Sequence, residues 1–148
     1  MQLSPHFTYE ELVFSEVAVR KGIANVPNPE QANNLMRLAS QLLEPARVVL
    51  GAPIHINSGF RSLAVNSLIG GSPTSAHMDG CAADIVPIGL QLQNSFDALR
   101  TNLRGYDQII IECNSWIHIA LPRVGAKPRM VAMTAWGAPG NWKYVNVV

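Results

Sequence analysis

Charge of one sign is what this sequence has least of: 11 Lys and Arg stand against 10 Asp and Glu in 148 residues, and charged residues make up only 14%. With no net positive field to grip a polyanion, neither nucleic acid nor an anionic membrane surface is expected as a partner. Long apolar runs are missing too. The longest span a few residues, such as Ile109-Ile110-Ile111, against the roughly 20 needed to cross a bilayer, so no membrane insertion is expected. The two cysteines, Cys81 and Cys113, are too few for a disulfide scaffold and lack C-x-x-C spacing; both read as reduced, buried, small apolar residues. Met1-Gln2-Leu3-Ser4-Pro5-His6 shows no basic segment leading into an apolar one, so nothing there directs secretion and synthesis in the cytoplasm is the expectation. Repeats, low-complexity tracts and linker-like stretches are likewise missing, which makes residues 1–148 read as a single domain, expected to be monomeric. What is present is a 48% apolar fraction, enough to exclude disorder and to bury a sizeable core.

Local signals divide the chain. Thr8-Tyr9-Glu10-Glu11 has the capping-box form ahead of Leu12, Val13 and Phe14 and predicts a short helix. Asn28-Pro29-Glu30-Gln31 starts a longer one, whose apolar face runs through Ala32, Leu35, Met36, Ala39, Leu42, Leu43 and Ala46. Pro45 lies inside that pattern and predicts a kink or local break before Gly51-Ala52-Pro53 ends the helix. Ile54 to Asn57 alternates as a strand, Ser62 to Ile69 reads as a short helix stopped by Gly70-Gly71, and Ser72 to Ser75 as loop. Ala82 to Val86 is the next strand and Gln91 to Leu103 a helix. Asp107 to Ile111 and Trp116 to Leu121 form a hairpin. Arg123 to Arg129 is loop, Met130 to Thr134 a strand, and from Trp136 a Gly-, Pro- and Trp-containing tail follows. Helices mostly in the first half and strands in the second predict an α+β fold, a small antiparallel sheet covered on one side by helices.

Chemistry concentrates in Ser75-Ala76-His77-Met78-Asp79-Gly80-Cys81-Ala82-Ala83-Asp84, and in His118 within Trp116-Ile117-His118-Ile119. Two imidazoles and a carboxylate suit Zn²⁺ with three protein bonds and one open position, a catalytic rather than a structural pattern. His77 in a loop, Gly80 at a sharp turn, Asp84 on the following strand and His118 on a neighbouring one can converge, which places the metal site on the sheet.

These residues resemble a known family. The S-x-H-x-x-G-x-A-x-D element spelled by Ser75, His77, Gly80, Ala82 and Asp84 is similar to the signature of the M15 zinc peptidases, the D-Ala-D-Ala carboxypeptidase and dipeptidase family. Ser58-Gly59-Phe60-Arg61-Ser62 resembles its S-G-[FY]-R-S segment, and Trp116-Ile117-His118 its W-x-H strand. The resemblance runs over roughly residues 53 to 121, and the helical prelude from Phe7 resembles the smaller phage- and bacterium-borne members. It implies a Hedgehog/D-Ala-D-Ala-peptidase-like fold, with Zn²⁺ held by His77, Asp84 and His118. Arg61 is then the substrate-facing cation, against a salt bridge as its plainer role, and the substrate is the peptide stems of bacterial peptidoglycan, reached in the wall after release from the cell or from a virion. Ser75 reads either as a hydrogen-bond donor to substrate or as a residue closing its loop.

One departure stands out. Many relatives carry an acid three positions before the last histidine, where this chain has Ser115. Glu112, six before it, is the candidate general base, because a compact hairpin centred near Ser115 sets Glu112 opposite His118 on one face. Asp79 is held in reserve, with a solvated loop charge as its plainer reading. His55 and His6 read as surface residues, Asn66, Gly70 and Gly71 as setters of loop geometry, Trp116 as cleft floor or core, and Trp136 and Trp142 as tail packing or a substrate wall.

Overall fold

The computed structural model describes residues 1–147. A two-stranded ribbon of β1 (Gln2–Ser4) and β2 (Phe7–Thr8) leads into α1 (Tyr9–Val13). Thr8 caps α1 as expected: its hydroxyl accepts from the Glu11 amide while the Glu11 carboxylate accepts from the Thr8 amide at 2.9 Å. The helix α2 (Glu16–Lys21), unmarked in the sequence reading, is capped by Ser15 and ended by left-handed Gly22. The helix α3 (Pro29–Leu38) opens on the Asn28–Gln31 capping box.

Pro45 does not break the chain's longest helical stretch. A π-helical turn, Ala39–Leu43, joins α3 to α4 (Glu44–Leu50), which ends at left-handed Gly51. The wider turn makes room for the proline ring and for its missing N–H, so the expected break becomes a local widening.

Beyond α4 come β3 (Ile54–Ser58), α5 (Leu63–Leu68), a 3-10 turn (Ala76–Asp79), β4 (Ala82–Pro87), α6 (Leu92–Asn102), β5 (Gln108–Glu112), β6 (Trp116–Ala120), β7 (Val131–Ala138) and β8 (Asn141–Asn146). The α+β expectation holds. The sheet, expected to be antiparallel, is instead six-stranded and mixed, in the order β3-β4-β6-β5-β7-β8 with β5 and β7 parallel. The residues Asn141–Asn146, expected as part of an irregular tail, form a hairpin with β7, because β7 runs on to Ala138 before Pro139-Gly140 turns it.

Alternation along the strands gives the two faces opposite character. Ala83, Ile85, Ile109, Ile111, Ile117 and Ile119 point to one side and join Leu35, Leu38, Leu42, Phe96 and Leu99 from the helices in one apolar cluster. The other face carries Asp84, Ile110, Glu112 and His118. The fold thus places its polar chemistry on a rigid sheet whose reverse side is the core. Among the described residues no helix is long and apolar enough to cross a membrane.

Candidate metal centre and cleft

The three candidate ligands meet. His77 sits on the 3-10 turn, and Asp84 and His118 face each other across the β4–β6 ladder as direct partners. His77 Nε2 lies 3.2 Å from Asp84 Oδ1 and 3.1 Å from His118 Nδ1, and His118 Nδ1 lies 3.1 Å from Asp84 Oδ1. Three donors bound at about 2.0–2.1 Å in a tetrahedron stand about 3.3 Å apart, so this near-equilateral triangle fits a divalent cation.

Protonation favours the same conclusion. His77 Nδ1 is 2.7 Å from the Gly59 carbonyl, which assigns the proton to that nitrogen and leaves the Nε2 lone pair facing the triangle. Burial pushes the His77 pKa down and keeps the ring neutral despite Asp84 nearby. Burial pushes Asp84 up, but its electrostatic and hydrogen-bonding interactions with His77 and His118 outweigh it and hold the carboxyl well below the usual carboxylate range. Neutral imidazole and ionised carboxylate are the forms that bind metal. Three lone-pair atoms then converge with at most one proton among them, an arrangement a cation satisfies.

The Ser58–Ser62 segment is the frame of this centre. Gly59 has no room for a side chain, since an added Cβ would lie 2.2 Å from the Leu12 carbonyl oxygen. Phe60 is buried and its amide donates to that same oxygen at 2.7 Å. Arg61 donates from its backbone to the His77 carbonyl, from Nε to Ser58 Oγ at 3.0 Å and from one terminal nitrogen to Asp84 Oδ2 at 2.8 Å. Asp84 thereby divides its work: Oδ1 faces the triangle and Oδ2 holds Arg61. Ser62 caps α5.

Sequence reasoning missed the supports behind the frame. Asn25 donates to the Val13 and Phe60 carbonyls and accepts from the Ser62 amide. From α3, Gln31 and Asn34 donate to the Met78 and Asp79 carbonyls, clamping the turn that carries His77. Their signal is faint in sequence: an Asn or Gln on a helix face reads as solvated.

The other candidates sort clearly. Arg61, Ser75, His77, Asp84, Glu112, Trp116 and His118 line one cleft of about 1500 Å³. Ser75 Oγ caps the 3-10 turn by accepting from the His77 amide at 3.3 Å. Glu112 shares the metal face with His118, but one diagonal step away rather than opposite, because Glu112 pairs with Trp116 and Ile110 with His118. The hairpin is tighter than expected: Cys113 and Asn114 both adopt left-handed backbone, and the Ser115 amide closes on the Glu112 carbonyl at 2.9 Å. Cys113 is consequently exposed, not buried, whereas Cys81 is buried as expected. Burial and the Asp84 charge push the Glu112 pKa up, while His118, Arg61 and the Trp116 indole pull it back. That indole N–H is buried and makes no hydrogen bond of good geometry, so its hold on Glu112 is weak. Asp79 is not brought to the triangle; it pairs with Arg123 at 2.6 Å. Asn66 anchors the loop after α5 through the Ser72 carbonyl, with Gly71 packed against its side chain. His55 and His6 lie at the surface.

A peptidase M15 family pattern matches residues 5–120. The chain belongs to the peptidase M15 family. None of the curated proteins matches it. As an M15 peptidase it is a hydrolase of peptide bonds, and the matched stretch contains the Ser58–Ser62 frame, the His77–Asp84 element and His118, while β7 and β8 lie beyond it.

Proposed function

We propose that this M15 family member is a zinc-dependent peptidase that cuts the peptide stems of bacterial peptidoglycan, as a phage-type lysin or a virion-associated one. The observation that carries the reading is the triangle of His77, Asp84 and His118 at the floor of an open cleft, with a partly buried carboxylate, Glu112, on the same sheet face. Three protein donors of this kind suit Zn²⁺ with a position left for reactants. A single domain of Hedgehog/D-Ala-D-Ala-peptidase type is the arrangement this reading assigns to residues 1–148.

When bound, zinc would supply a Lewis acid for the scissile carbonyl and lower the pKa of water towards neutrality. The residues then divide the remaining tasks. Glu112 takes a proton from the attacking water onto its carboxylate oxygen and returns it to the amine nitrogen as the C–N bond breaks, completing hydrolysis. Burial and the nearby Asp84 charge raise its pKa and so make it a stronger base than an exposed carboxylate. Arg61 fixes the Asp84 carboxylate and, facing the cleft, adds positive charge where negative charge develops on the substrate. Ser75 holds the His77 turn in shape from the cleft wall.

Release of new amino groups from purified peptidoglycan tests this. Zinc-loaded wild-type protein is expected to release them, Glu112→Gln to retain zinc while losing about 10²- to 10⁴-fold in rate, and His118→Ala to lose zinc. Absence of release by the zinc-loaded wild type would point instead to a wall-binding or virion structural module, and full activity of Glu112→Gln would remove Glu112 as the base.

A further inference from the structure

The β7–β8 hairpin lies outside the family-matched residues, yet it builds one wall of the cleft. Its place is set by the sheet. Glu112 pairs with Ala135 across the parallel β5–β7 ladder, and Ala135 pairs with Tyr144 across β7–β8, so the three stand in one row on the metal face. Between Glu112 and Tyr144 there is only the Ala135 methyl group, fully buried. Two strand spacings of about 4.8 Å separate the outer backbones, and both Glu112 and Tyr144 line the same cleft. Trp142, two residues before Tyr144 and on the same face, continues the wall.

The hairpin is held at both ends. The Cys113 amide donates to the Ala135 carbonyl at 2.8 Å, tying β7 to the turn after Glu112. At the tip, Pro139 packs on Gly70 of the loop across the cleft, where an added Cβ would lie 2.8 Å from the Pro139 ring. Arg61, meanwhile, is tied through Nε to Ser58 and through a terminal nitrogen to Asp84, which anchors its guanidinium beside the metal triangle and leaves its remaining N–H donors to the cleft.

We propose that Tyr144 is a catalytic residue of this cleft, its phenolic O–H donating a hydrogen bond to the carbonyl oxygen of the peptide bond that is cut beside Glu112. The proposal rests on the peptidase reading of the site. The donor's strength grows as negative charge develops on that oxygen, so it serves the transition state more than the bound substrate. Tyr144 is 52% exposed, open to a substrate entering the cleft. Burial of part of its ring and the Glu112 charge both push its pKa up, so the hydroxyl keeps its proton throughout the range in which a peptidase works.

The test compares zinc-loaded wild type with Tyr144→Phe, a change that removes one oxygen and preserves the ring. Initial rates on soluble peptidoglycan fragments give kcat and KM, tryptophan fluorescence titration with the same fragments gives binding, and elemental analysis gives zinc per chain. Expected are a kcat lower by on the order of 10²-fold, binding within about threefold of wild type, and unchanged zinc. A Tyr144→Phe kcat within about twofold of an active wild type overturns the assignment alone, whether or not binding weakens. A zinc-loaded wild type that binds fragments without cutting them overturns the peptidase reading, and this assignment with it.

Discussion

Asp84 and Glu112 are two carboxylates on one sheet face, and their surroundings drive them apart. Asp84 is surrounded by His77, His118 and Arg61 and stays ionised; Glu112 has burial and the Asp84 charge against its ionised form. The second case has a measurable consequence for stability. A carboxyl whose folded pKa is raised favours folding below its unfolded pKa, about 4.3, and that contribution is lost as pH rises through the folded value. In metal-free protein, Glu112→Gln is therefore expected to melt at a higher temperature than wild type near pH 7.5, with the gap closing as pH falls towards 4. Thermal melts across that range check it; a gap that widens on acidification would mean Glu112 is stabilised as an anion.

At the scale of elements, five consecutive residues do most of the positioning. Ser58 to Ser62 leave a strand, pass under the Leu12 carbonyl, hold His77 from behind, fix Asp84 from the side and start a helix. The narrowest point is Gly59. Substitution Gly59→Ala forces its backbone away from Leu12 and so moves the carbonyl that orients His77. Expected are a stability loss of about 1–3 kcal/mol and zinc binding weaker by about 10- to 100-fold; denaturant unfolding of the metal-free protein and competition with a chromophoric chelator measure the two. Capping signals at Thr8 and Asn28 and the β5–β6 hairpin were legible locally, since cap and turn chemistry act over three or four residues. The strand β8 was not, because the Gly-, Pro- and Trp-containing stretch from Trp136 reads as a tail and only pairing with β7 makes Asn141–Asn146 extended.

At the scale of the whole molecule, the triangle joins parts of the chain far apart in sequence: His77 on a turn clamped by α3, Asp84 on β4, His118 on the neighbouring β6. A cation bound there crosslinks the folded state and has no comparable site in the unfolded chain, so it stabilises by mass action. Chelation is expected to lower the melting temperature, and zinc at a thousand times its dissociation constant to restore about 4 kcal/mol. Calorimetry with chelator and then with added zinc checks this, and an unchanged melting temperature would count against a bound ion at the triangle.

The sequence by itself determined the donor set and its chemistry: two imidazoles, a carboxylate, a glycine-turn between them and the arginine segment, all carried by residue type and short spacing. It also determined which strand faces are apolar, because alternation is local. Only the tertiary structure decided that Arg61 is bound to Asp84, that Glu112 stands diagonal to His118, and that Tyr144 reaches the cleft. Those depend on strand order and register, above all the parallel β5–β7 pair, which are set by packing between segments distant in the chain and leave no mark on any one of them.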